Sequence, residues 1–265
     1  MASSLLEVIA ALAALRTRVE GVLEEGGWVM AGSHADTEAL AFMQLAIGNV
    51  AAIETLARAD ARLVIAATAA GRSAYEGIVT LAWMLAPDDL AERDRRWMAL
   101  FFEERAFWQR VVDEAIKRND SQAIVTALQA EVQRVTALID AVQPQLAAIG
   151  AGAIPRKLPN FDVRLEEVGQ GRHYVTYKVA CQLVHPATRA LAQVRDLQAH
   201  ADEVPFATYS YRTKPRDWTV AISLGAESLA FGLETIGRRL PPGRELSPEI
   251  ADLFNAVADK LRGMD

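Results

Sequence analysis

Apolar residues recur at intervals of three and four along most of the chain, and no run alternates apolar with polar at every second position, so the pattern predicts helices throughout. Eight are expected. The first runs from Ser4 to about Glu25, opened by a Ser3 or Ser4 cap and stopped at Gly26-Gly27. The second spans Asp36 to about Ala59 and the third about Ala61 to Ala86; the weakly marked break at Ala59-Asp60 leaves one long kinked helix as the alternative. The fourth follows Asp88-Asp89 and continues to Arg118, with Trp97, Leu100, Phe101, Phe107, Trp108 and Val111 along one apolar stripe. Asn119-Asp120-Ser121 ends it and caps the fifth, about Gln122 to Ile149, in which Pro144 predicts a kink. These two long helices form a natural hairpin.

Residues 150–159, rich in Gly and Pro, read as a loop, followed by a short helix around Val163 to Val168. A sixth helix runs from Arg172 to about Val184, is interrupted at His185-Pro186 and resumes to about Leu197. A loop over Asp202 to Asp217 precedes the seventh helix, Trp218 to Leu240, whose Gly225, Ala226, Gly232 and Gly237 permit close packing; Ser247-Pro248-Glu249 starts the last. The expected fold is therefore all-α, a multi-helix bundle of about eight helices with a long helical hairpin, in a single domain over 1–265. A subdivision near 150–160 is the alternative.

At 265 residues and 51% hydrophobic content the chain has ample core for such a bundle. The net charge of -6 excludes bulk electrostatic attraction to nucleic acid or anionic lipid, so any such binding needs a local basic patch. A single cysteine, Cys181, excludes an internal disulfide; with no secretory signal pattern at the N-terminus, a cytoplasmic setting is expected. The longest apolar stretch, Leu63 to Ala86, has nearly the length of a membrane span but carries Arg72 and Glu76 near its middle, which predicts a central bundle helix and no membrane crossing.

No phosphate-binding glycine loop, nucleophile elbow, His-Glu-x-x-His or paired-cysteine site is present, so neither metal nor cofactor is expected. Two constellations carry chemistry. Arg72 and Glu76 stand four residues apart on one helix face, while Tyr177, Cys181 and His185 repeat every four residues on another helix, flanked by Tyr174 and Lys178. Arg72, Glu76 and His185 are expected to meet in one largely buried polar cluster, serving either as a packing network or as a site for a phosphate or carboxylate ligand with His185 as acid or base. The second constellation is Arg195-Asp196-Leu197-Gln198-Ala199-His200, in which a guanidinium could hold a phosphate while the imidazole moves a proton; a solvated helix end is the plain alternative.

The Arg72…Glu76 helix, with Trp83 downstream and Tyr177, Cys181 and His185-Pro186 further on, resembles uncharacterised bacterial helical proteins sharing an Arg…Glu and Tyr…Ser…His-Pro pattern; this chain has cysteine at the serine position. The run Arg195-Asp196-Leu197-Gln198-Ala199-His200 resembles the Arg-polar-x-x-x-His signature of the HEPN superfamily, helical bundles of toxins and phage-defence ribonucleases. That resemblance implies metal-independent RNA cleavage across a dimer interface, with Arg195 and His200 as the reacting pair and Asp196 in support. Two classes of function thus stand: a HEPN-like ribonuclease or toxin/defence-type protein with RNA as partner, and a noncatalytic helical module binding a ligand or protein through the Arg72/Glu76/His185 region. A homodimer through the small-residue face of Gly225 to Gly237 is expected in either case.

Overall fold

In the computed structural model, which describes residues 4–25, 28, 33–184, 214–240 and 247–264, nine helices and no strands occur among the described residues. They are α1 (Leu5–Glu25), α2 (His34–Ala59), α3 (Val64–Leu85), α4 (Leu90–Lys117), α5 (Gln122–Ala148), α6 (Phe161–Glu167), α7 (Tyr174–Val184), α8 (Thr219–Arg239) and α9 (Pro248–Arg262). These are the eight expected helices plus the short one at α6. The continuation of the sixth expected helix beyond Val184 lies outside the described residues.

Local signals place most boundaries. Ser4 and Glu7 close a reciprocal cap on α1, Ser4 N donating to Glu7 Oε2 at 2.7 Å and Glu7 N to Ser4 Oγ at 3.3 Å. Asp89 accepts from Ala91 N at the start of α4, Ser121 from Ile124 N at α5, and Ser247 from Ile250 N at α9. At the other ends Asn119, Gly150 and Gly169 adopt positive φ, and the next residue's N–H reaches back to the carbonyls of Ala115, Leu146 and Leu165. The weakly marked break is real: Asp60 is extended, with φ -163°, and its carboxylate accepts from Arg62 N across a 3-10 turn before α3 begins. Helix α5 runs through Pro144 without interruption.

α3 is the central element, packed between α2 and α8 and covered on a further side by α6 and α7. The stretch weighed as a membrane span is this helix, fully or nearly buried from Ile78 to Leu85. By length and composition alone, two other helices among the described residues could cross a membrane, α2 and the Pro215–Arg239 stretch; two-thirds of the latter's apolar window (67%) is buried in the bundle. Close approach of α3 and α8 needs Gly71, where a Cβ would lie 2.7 Å from the Ala221 carbonyl oxygen. Gly225 faces Val50 and Ile53 of α2, and Gly232 abuts Met43 and Ile78. The glycine face expected to serve a homodimer is thus covered by helices of its own chain, and a dimer would need another surface.

The α4–α5 hairpin roots in the main core through Trp97, Met98, Phe102, Val135, Ile139, Val142 and Leu146. Its outer half is covered mainly by itself. Phe107, expected on the apolar stripe, is 49% exposed, because successive stripe residues rotate away from a single partner helix once the hairpin leaves the core.

Candidate functional site

A second, smaller core gathers Tyr75 and Val79 of α3, Leu165 of α6, Tyr177 and Ala180 of α7, and Leu224 of α8. The candidate site lies at this junction. Arg72 and Glu76 pair along α3 as their spacing requires: both Nε and Nη2 of Arg72 reach Glu76 Oε1 at 2.8 Å. The Tyr177 hydroxyl of α7 donates to the same carboxylate oxygen at 2.6 Å, and the Arg72 guanidinium sits 5.8 Å from the Tyr177 ring centre. Cys181 stands one turn further along α7 and is part-buried. Burial, with the hydrogen bond to Glu76, raises the Tyr177 pKa well above the ordinary phenol range. Burial alone would lower the Arg72 pKa, but the hydrogen bond and charge of Glu76 outweigh it and raise it.

α6 contributes a residue that no spacing rule links to α3. Its short run is turned back by Gly169 and pressed on α3, which brings Arg164 beside Thr80, one turn beyond Glu76. The Arg164 Nη1 donates to the Thr80 hydroxyl, and its guanidinium lies 5.4 Å from the Phe161 ring centre. Its Nε is buried with no acceptor among the described residues. Burial pushes the Arg164 pKa down, opposed by the charge of Glu76 and by Tyr177 and Glu103. Among the described residues, Glu76 pairs directly with Arg72, and Arg164 has no carboxylate in direct contact. The buried Arg164 N–H is the group here that an anion could satisfy.

Of the residues expected here, the structure brings together Arg72, Glu76, Tyr177 and Cys181. His185 lies outside the described residues, and so do Arg195, Asp196 and His200. The side chains of Arg72 and Glu76 are part-buried, 22% and 35% exposed, and Tyr177 is 7% exposed. The long stems cross the rim of the junction between α3 and α7, so the apolar residues around them in sequence do not cover their charged ends. Tyr174 and Lys178, expected to flank the stripe, are exposed and pair with one another, the Lys178 ammonium 5.1 Å from the Tyr174 ring centre.

A polar network that the sequence reading missed is more deeply buried. Asp94 accepts from Ser33 Oγ at 2.7 Å and from Ala35 N at 2.9 Å, capping α2 from the side of α4. Arg93 donates to Asp36 Oδ1, Pro87 O and Arg239 O, joining α2, the turn before α4 and the end of α8. All four polar residues are at most 5% exposed. They tie helix ends to each other, which is a packing task, although Asp36 Oδ2 is buried with no hydrogen-bond partner among the described residues. Charged residues adjacent in a helix give no sign of which one turns inward.

The model of the Family of unknown function (DUF5677) matches residues 39–203, well over half of the 265-residue chain. The chain belongs to this family. The family segment contains the whole Arg72…Glu76 and Tyr177…Cys181…His185-Pro186 pattern and extends through Arg195 and His200. It takes in α6, and with it Arg164, but ends before α8. No curated protein and no solved structure matches the chain.

Proposed function

We propose that this family member is a helical binding module whose site at the α3–α6–α7 junction holds the anionic group of a ligand, a phosphate or a carboxylate. The observation that carries the reading is the buried Arg164 Nε, which has no acceptor among the described residues although a buried guanidinium N–H calls for one. Arg72 and Tyr177 fix Glu76, so the carboxylate is held by donors on two helices and Arg164 is left to the ligand. The 22% exposure of Arg72 leaves the site open to solvent on that side. The test is thermal unfolding of the full chain with 20 mM inorganic phosphate, on the order of a weak-ligand titration, against chloride at equal ionic strength. Phosphate is expected to raise Tm for the natural chain and not for Arg164→Met, which keeps the stem and removes the guanidinium. Equal shifts in both proteins would refute the reading.

A second reading is a HEPN-like metal-independent ribonuclease or toxin/defence-type protein, favoured by the family segment's extension through the Arg195-Asp196…His200 motif and by the all-α class. In it the anion is an RNA phosphate, with Arg195 and His200 reacting. Structured RNA incubated with the protein and excess chelator is expected to be cut, and His200→Ala to abolish cutting. Intact RNA with the natural protein, or cutting by the variant, refutes this reading and leaves the anion-binding one standing.

A further inference from the structure

The 3-10 turn Gly171–His173 leads directly into α7. It fits against α6 only because residue 171 is glycine, since any Cβ there would collide with the Glu166 carboxylate. Arg172 Nε donates to His173 Nε2 at 2.9 Å, so that nitrogen's lone pair is in use and the ring is neutral. The same nitrogen lies 3.8 Å from Oε1 of Glu227 on α8. That separation is too long for a hydrogen bond, and in this state neither atom brings a hydrogen to the gap.

The pair is half-buried, with side chains 18% exposed at His173 and 21% at Glu227, so protons reach it from solvent while the surroundings penalise charge. Burial, and then the charge of Arg172, hold the imidazole below its ordinary pKa; burial raises the carboxylate, opposed by the same guanidinium. Two proton sites that are ordinarily unequal are thus brought towards each other, and the first proton taken up belongs to the pair rather than to either residue. The other charged or titratable groups around the turn are few among the described residues. α3 presents Tyr75, edge-on to the imidazole with ring centres 6.1 Å apart, and burial holds its phenol above the ordinary range, so it stays uncharged in acid. α6 presents Glu166, which is exposed and screened by water. On α7 itself the Lys178 ammonium is exposed and lies over the Tyr174 ring.

We propose that His173 and Glu227 form a proton-operated latch between the start of α7 and α8, in which one proton taken up from solvent bridges Glu227 Oε1 and His173 Nε2 and displaces Arg172 from that nitrogen. One hydrogen bond is made and one broken, and the freed Arg172 N–H passes to water, because that side chain is exposed. Whichever atom formally holds the proton, the Nε2 lone pair is no longer open to Arg172. Shortening the 3.8 Å separation to hydrogen-bond length takes a side-chain movement of about 1 Å. In the open state His173 is tied to its own neighbour in sequence; in the closed state a charge-assisted bond fastens the turn to another helix. The latch shares no side chain with the Arg72–Arg164 junction and stands whether or not that junction binds an anion.

The test follows the His173 Cε1–H signal of the full chain by proton NMR during acid titration, assigned by its loss in His173→Gln. Hydrogen exchange of the amides in the first two turns of α7 is measured on both sides of the midpoint and corrected for the intrinsic effect of pH. In Glu227→Gln the midpoint is expected to fall by about one pH unit or more, roughly a tenfold loss of proton affinity, and in Arg172→Met, where the competing donor is gone, to rise. Protection of the α7 amides is expected to rise several-fold below the midpoint in the natural chain and to stay level in Glu227→Gln and His173→Gln. Circular dichroism checks the fold of each variant, and the exchange of His173→Gln serves alone if Glu227→Gln does not fold. An unchanged or raised midpoint in Glu227→Gln, α7 protection that does not change across the midpoint, or an equal rise in either variant overturns the proposal.

Discussion

Tyr177→Phe is the most direct probe of the α3–α7 junction. The change removes one oxygen and keeps the ring, which lies 4.1 Å from the Phe161 ring centre and 5.8 Å from the Arg72 guanidinium. What is lost is a 2.6 Å hydrogen bond to Glu76 Oε1. Hydrogen bonds to charged groups contribute about 1.5–3 kcal/mol net. Glu76 is 35% exposed, so water replaces part of the lost donor, and the low end applies, about 1.5 kcal/mol. Arg72→Ala is expected to cost about 1 kcal/mol, as for a half-solvated pair, well short of the roughly 3–5 kcal/mol for breaking a buried one. The assay is urea unfolding followed by circular dichroism for Tyr177→Phe, Glu76→Gln and the double variant, with a coupling of about 1 kcal/mol expected between them. Additivity within about 0.3 kcal/mol would show that the phenol and carboxylate do not interact, and would sink the geometry on which the candidate site rests.

Two glycines in helices should respond with opposite signs: Gly71→Ala drives a methyl into the Ala221 carbonyl at 2.7 Å and should destabilise by about 1–3 kcal/mol, whereas Gly48→Ala, with nothing within 4 Å of its Cβ, should stabilise by about 0.5–1 kcal/mol in the same urea assay. Asp94→Ala strands the buried Ser33 hydroxyl and Ala35 N–H and should cost about 3 kcal/mol, read as a fall in the urea midpoint; a loss under about 1 kcal/mol would mean that α2 is capped by other means. Tyr75 and Tyr177 both have raised folded-state pKa values, so each binds its proton more tightly folded than unfolded. Stability from this source is complete below about pH 10, the unfolded phenol value, and falls as pH rises beyond it. Alkaline unfolding should therefore be shallower in Tyr177→Phe than in the natural chain, and equal slopes would refute the assignment.

The helices and the Arg72–Glu76 pair were determined by the sequence itself, because their causes are local. Ser4, Asp89, Ser121 and Ser247 satisfy amides two or three residues away, and a four-residue spacing puts two side chains on one helix face in any fold. Only the tertiary structure decided that Arg164 reaches Thr80, one turn beyond that pair, that Asp94 caps a helix about sixty residues earlier in the chain, and that Glu227 faces His173. The degree of burial was equally non-local: Arg72 and Glu76 lie in an apolar stretch, yet their exposure is set by where α7 crosses α3, while Arg93, in a charged one, is 5% exposed because α2 and α8 close over it. Helix periodicity records which residues share a face; which faces meet depends on crossings such as Gly71 against Ala221, whose closeness is a property of both helices at once.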